Sequence, residues 1–336
     1  MRRLSVLLLA ASPLLAQPVP LNDLGNTRYL GFQGGLYENG SNVPPADHGA
    51  AGARAAARIA PRDRAGQPSP QGTIALISIG MSNTTQEFCA SSGPACASWS
   101  FVGQALADPA VDRQTLVLVN GAMGGQAADA WDSPAEPNYD RIRDTVLPRE
   151  GLTEAQIQVA WVKVANRQPS VSLPAAESDA WRLVAQMGDI VRALRTHYPN
   201  LQIVYFSSRI YAGYATTTLN PEPYAYESGF AVKWLIQAQI DQRRNAGAVV
   251  EARAGNLDDA TAPWLTWGPY LWADGMNPRS DGLVWIRADL QSDGTHPSRS
   301  GEDKVGALLL SFFKSDLTAR SWFLDRTAGR RRAVRR

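Results

Sequence analysis

Four short apolar runs, each followed by a helical pattern, constrain this chain more than any other feature. Residues 73–79, 115–119, 157–164 and 201–206 are rich in Val, Ile and Leu and have no in/out alternation, as strands buried on both faces do. Helical periodicity occupies 99–107, 138–146, 175–196, 227–245 and 301–314, with a shorter helix at 50–59. Strands alternating with helices predict crossover connections and a parallel sheet covered on both faces. In such sheets the loops leaving the C-terminal strand ends build the site, so the residues after each strand are the ones to read for chemistry.

The chain has 336 residues, 44% apolar and 19% charged, which is ordinary globular composition. Its formal charge of +2 conceals a segregation: Arg2 and Arg3 open the chain, and Arg326, Arg330, Arg331, Arg332, Arg335 and Arg336 crowd its last residues. Taking these eight positive charges from the total leaves −6 for the body, which gives no basis for nucleic-acid binding. Met1-Arg-Arg, an apolar run over 4–15 and Ala16 have the order of an export signal, and the run is too short for a stable membrane span. The expected organisation is therefore a signal peptide at 1–16, an irregular Gly/Pro-rich lead-in at 17–70, a main α/β domain at 71–318 and a basic tail at 319–336. The expected location is secreted or periplasmic. In an exported chain Cys89 and Cys96, close together with Gly and Pro between them, predict a local disulfide; free thiols are the alternative, and two thiolates without a nearby histidine make no zinc site.

After the first strand comes Gly80-Met81-Ser82-Asn83, a serine at a strand-to-helix turn where backbone N–H groups can receive a developing oxyanion; an ordinary helix N-cap is the competing reading. The second strand is followed by Gly124-Gly125-Gln126, whose glycines would let an N–H approach a ligand closely, or would simply turn the chain. Asn166 follows the third strand. Near the end stands Asp293-Gly-Thr-His296-Pro, a carboxylate placed to orient an imidazole for general-base work. Of the other two histidines, His48 lies in the lead-in and His197 ends a helix, and both are expected to be structural or exposed.

Together the Gly80-to-Asn83 turn, the Gly124-Gly125 segment, Asn166 and the Asp293-to-Pro297 run resemble the ordered blocks of SGNH (GDSL-like) hydrolases, over about residues 72–316. The stretch from Ala122 to Trp131 is similar to the Gly-Gly-Thr…Trp segment of the carbohydrate acetylesterase and sialate O-acetylesterase-like branch. The first block departs from Gly-Asp-Ser, and Val164-Ala-Asn166 departs from the usual Gly-x-Asn-Asp. The resemblance implies a flavodoxin-like three-layer α/β/α sandwich with a parallel sheet of about five strands, and no metal or cofactor. It also implies Ser82 as nucleophile, His296 as base, Asp293 as its orienter, and an oxyanion hole from the N–H groups of Ser82 and Gly125 with the Asn166 side chain. Asn83, Gly124, Gln126, Trp267, Tyr270 and Trp272 are candidate substrate contacts; the aromatics either stack on sugar faces or pack a long loop onto the sheet. The expected reaction is hydrolysis of a short acyl ester, preferably O-acetyl on a carbohydrate. A lipid or general short-chain esterase and a non-catalytic carbohydrate-binding protein are the competing readings.

Overall fold

The computed structural model describes residues 18–91 and 95–325; the expected signal peptide, and the basic tail from Arg326 on, lie outside them. Five strands form one sheet: β1 (Ile74–Gly80), β2 (Leu116–Asn120), β3 (Ile157–Lys163), β4 (Ile203–Phe206) and β5 (Trp264–Trp267). Their order is β2-β1-β3-β4-β5 and every pairing is parallel, the doubly wound order of flavodoxin-like sheets. Every residue of β1 and β3 is buried, which is why these segments are continuous apolar runs in the sequence.

Successive side chains on a strand point to opposite faces, and two separate cores result. One takes Ala75, Ile77 and Ile79 of β1 with Val204 and Phe206 of β4, under α4 (Asp179–His197) and α5 (Tyr224–Arg244). The other takes Ile74 and Leu76 with Val159, Trp161 and Tyr205, under α1 (Ala46–Ala57), α2 (Ser82–Cys89), α3 (Phe101–Ala107) and α6 (Arg299–Ser315). The fold is thus a three-layer α/β/α sandwich. Among the described residues no helix is long and apolar enough to cross a membrane.

The sequence reading differs from the structure at the C-terminus, where Arg320–Phe323, inside the expected tail, is a helix with Trp322 and Phe323 buried in the second core, and in two further elements. The pattern at 138–146 is a short helix, Pro137–Arg141, that widens into a π-helical turn over Ile142–Val146. The fifth strand, Trp264–Trp267, falls in a segment read as an aromatic loop. It is an edge strand, and side chains rather than another strand satisfy its outer backbone: Gln239 Oε1 accepts from the Leu265 N–H at 2.8 Å, and His48 Nε2 bonds Leu265 O at 2.9 Å. The lead-in runs along this edge, with Tyr37 Oη 2.9 Å from Thr266 Oγ1, the Trp267 indole donating to Leu36 O at 2.8 Å, and Lys233 Nζ donating to Gln33 O at 2.8 Å. Cys89 and Cys96 form a disulfide with a Cα–Cα distance of 4.9 Å, closing the loop that leaves α2.

Candidate active site

Gly80 ends β1 with φ of 150°, and a Cβ there would lie 2.1 Å from Lys163 O, so no other residue fits between β1 and β3. The chain turns through Met81, and Ser82 begins α2, where its N–H has no intrahelical partner. Two further contacts hold this corner: Thr84 Oγ1 donates to Lys163 O at 2.6 Å, and the Asn83 amide donates to Thr295 O at 3.0 Å.

That second bond reaches the turn before α6. Gly294 turns the chain with φ of 65°, packed so closely on the backbone of Tyr214 that a Cβ would collide with it. Asp293 Oδ1 accepts the N–H groups of Thr295 (2.9 Å) and His296 (3.0 Å), which fixes the carboxylate against its own turn. Its Oδ2 lies 2.5 Å from His296 Nδ1, and His296 Nε2 lies 2.8 Å from Ser82 Oγ. With Nδ1–H donating to the carboxylate, Nε2 is left to accept the Ser82 hydroxyl proton. Burial opposes ionisation of Asp293, but hydrogen bonds from the His296 ring and from the N–H groups of Thr295 and His296 outweigh it and hold the carboxyl below its usual value. Serine, imidazole and carboxylate, drawn from two segments distant in sequence, meet in the order that serine acyl transfer uses.

The serine and imidazole open into a cavity of about 260 Å³. Gly125 and Asn166 both line it, so the loops after β1, β2 and β3 converge as expected. Among the described residues no group accepts from the Gly125 N–H, while its carbonyl receives Arg167 Nη1 at 3.3 Å. Asn166 is tied elsewhere. Its amide faces Gln186 Oε1 at 3.2 Å, and with oxygen and nitrogen exchanged it donates to Asp179 O (3.2 Å) and accepts from Arg182 Nε (3.0 Å), so α4 engages it in either orientation.

The remaining candidate contacts divide. Asn83 lines the cavity but spends its amide on Thr295 O. A Cβ on Gly124 would lie 3.9 Å from the Ser82 Cβ, and Gln126 turns inward to accept from Asn138 Nδ2 at 2.9 Å. Trp267, Tyr270 and Trp272 do not reach the cavity: all three are buried in the core, and Trp272 donates to Glu222 Oε1 at 2.8 Å. Their physical reason for being there is packing of β5 and the loop after it. His48 is buried against the β5 edge, with its pKa pushed down to about 4 by burial, and His197 stacks on Tyr139 at 4.4 Å.

Sequence reasoning missed Arg209 and Asn220, which also line the cavity. Arg209 is 1% exposed, Nε and Nη2 of its guanidinium have no hydrogen-bond partner, and burial lowers its pKa. It stands just after β4, so the rule of reading past each strand end would have found it had it been applied to the fourth strand. Beneath the site, Lys163 Nζ lies 2.5 Å from both carboxylate oxygens of Glu87, and both side chains are wholly buried. Among the described residues no group of three or more His, Cys, Asp or Glu is placed to hold a metal ion.

No family model matches the chain, and no curated protein matches it. Among solved structures it is similar to a family two carbohydrate esterase from Clostridium thermocellum, in complex with cellohexaose, at 16% identity over 76% of this chain and 67% of that one, with a TM-score of 0.39. It is also similar to a GDSL-like lipase from Bacteroides thetaiotaomicron (10% identity, 79% and 96% covered, TM-score 0.38) and to a protein from Arabidopsis thaliana (12%, 72% and 99%, 0.40). All these TM-scores lie below 0.5, so the functional reading rests on the geometry of the site itself.

Proposed function

We propose that this chain is an exported serine esterase of the SGNH type that cleaves short acyl esters, with O-acetyl groups on a carbohydrate as its preferred substrate. The observation that carries the reading is the Ser82–His296–Asp293 relay opening into a small cavity. Ser82 Oγ attacks the ester carbonyl while His296 Nε2 takes its proton, and Asp293 holds the ring and stabilises the imidazolium. The N–H groups of Ser82 and Gly125 receive the oxyanion; Asn166 would have to release α4 to serve as a third donor. His296 returns the proton to the leaving alcohol, and water repeats the sequence to free the acid and restore Ser82.

A cavity of about 260 Å³ suits a short acyl group better than a long chain. The carbohydrate part of the proposal rests on the resemblance of the segment from Ala122 to Trp131, because the buried aromatics offer no stacking platform. Met81, Ala127, Ala165 and Leu219 give the cavity apolar walls, and this favours a general short-chain esterase as the second reading. The Cys89–Cys96 disulfide supports an oxidising compartment. The test is hydrolysis of aryl acetate, longer aryl esters and acetylated xylan by the protein and by Ser82→Ala. Acetyl preference that vanishes in the variant is the expected result; saccharide binding without turnover of any ester by folded protein would overturn it.

A further inference from the structure

A second cleft, of about 350 Å³, lies at the opposite end of the sheet from Ser82. Its floor is Gln202, just before β4, and Trp264, the first residue of β5, so it opens at the N-terminal strand ends. Four arginines surround it: Arg54 and Arg58, one helical turn apart at the end of α1, with Arg195 of α4 and Arg243 of α5. The one carboxylate in its wall is Asp259.

Three of these guanidinium groups have identifiable acceptors, and two of the three use only neutral ones. Arg58 donates to Gln202 Oε1 at 2.6 Å, and Arg195 donates to the carbonyls of Pro199 (3.2 Å) and Leu201 (3.0 Å). Arg243 pairs through Nε and Nη2 with Asp259, a carboxylate 81% exposed, while its Nη1 is buried with no partner. Trp264, 4% exposed, likewise has a buried indole N–H with no partner. This concentration of positive charge stands on a body of formal charge −6, and residues 1–17, 92–94 and 326–336 contain no Asp or Glu side chain to act as a counter-ion. Gathering like charges at one cleft costs electrostatic energy unless an anion settles among them.

We propose that this cleft is a binding site for a multiply charged oxyanion of the phosphate class, separate from the ester-cleaving site. Guanidinium forks match phosphate oxygens two at a time, and the exposed Arg54 and Arg58 stand one helical turn apart at the cleft wall. The anion is either free in solution or carried on a polymer.

The experiment is calorimetric titration of the full chain with inorganic phosphate, pyrophosphate and long-chain polyphosphate, each against chloride at equal ionic strength. The same titrations are run on Arg54→Glu/Arg58→Glu, whose substituted side chains are exposed, with aryl acetate turnover as the check on folding. The expected result is saturable binding that weakens roughly tenfold or more in the variant, with turnover unchanged. Binding of phosphate or pyrophosphate identifies a free anion, and binding of polyphosphate alone identifies a polymer. The arginines of 326–336 are present in both proteins, so the difference between them reports on the cleft. Absence of saturable binding by the wild type, or equal binding by a turnover-competent variant, overturns the proposal.

Discussion

Replacing Lys163 with methionine tests how the helix that carries Ser82 is anchored. Glu87 lies on α2, the helix that Ser82 begins, and Lys163 ends β3; their side chains meet with no exposure to solvent. Burial pushes the Lys163 ammonium down to about 8 and the Glu87 carboxyl up, so each ion is held in the interior chiefly by the other. Removing the cation leaves a buried carboxylate that must either stay ionised without its partner or take up a proton, and such losses cost about 3–5 kcal/mol. At about 1.4 kcal/mol per decade, a 4 kcal/mol loss lowers the folding equilibrium constant by nearly a thousandfold. The companion variant, Glu87→Met/Lys163→Met, removes both charges and keeps the volume close, and it is expected to recover most of that loss. Urea unfolding of the wild type, both single variants and the double variant, followed by tryptophan fluorescence, gives the four free energies needed for the cycle. A single substitution costing under about 1 kcal/mol, or a double variant no more stable than Lys163→Met, would refute the claim that the ions depend on each other.

Three further outcomes follow from the geometry. Asp293→Asn keeps an acceptor for the turn N–H groups but presents an amide to His296 Nδ1, so the wrong ring tautomer is favoured; kcat toward aryl acetate should fall by about 10³–10⁴ with the melting curve little changed. Glu227 is 1% exposed, and burial raises its carboxyl to about 7, so the unfolded chain ionises first and its contribution to stability falls as pH rises from about 4.5 to 7. Glu227→Gln should therefore gain up to about 3 kcal/mol over wild type between pH 5 and pH 8 in urea titrations, and equal gains at both pH values would refute the assignment. Cys89→Ser/Cys96→Ser, or reductant added to the wild type, should remove roughly 2 kcal/mol, visible as a lower Tm, while retaining Ser82-dependent turnover.

What could be read in advance followed the range of the interactions. β1 to β4 were visible because strands covered on both faces must be apolar throughout, whereas β5 is four residues long, contains two tryptophans and lies among glycines and prolines. Its identity as a strand depends on β4 and on His48, remote in sequence. The Asp293-to-His296 turn was legible because its carboxylate and imidazole bond within one turn of chain. Arg209 stands just after a strand, where the rule of reading past each strand end points, whereas the Glu87–Lys163 pair was not legible, since an acid on a helix and a lysine ending a strand carry no local sign of what they will face. Asn166 lines the cavity, but its engagement by Gln186 and Asp179 arises from packing of α4 that no motif encodes.

The lead-in along β5 has a consequence for the order in which the molecule can assemble. Its contacts are among the most distant in the chain: Leu21 with Tyr270, Tyr37 with Thr266 and Leu36 with Trp267 are each separated by more than two hundred residues. A chain made from its N-terminus therefore produces this segment long before any surface exists to receive it. Until β5 is in place, the sheet edge and its cover wait for each other, and premature folding of the segment gains nothing because its partners are absent. Such contacts close last and raise the contact order, which favours slow acquisition of the native state once the whole chain is available. A polypeptide so arranged completes this edge of its sheet only near the end of its synthesis.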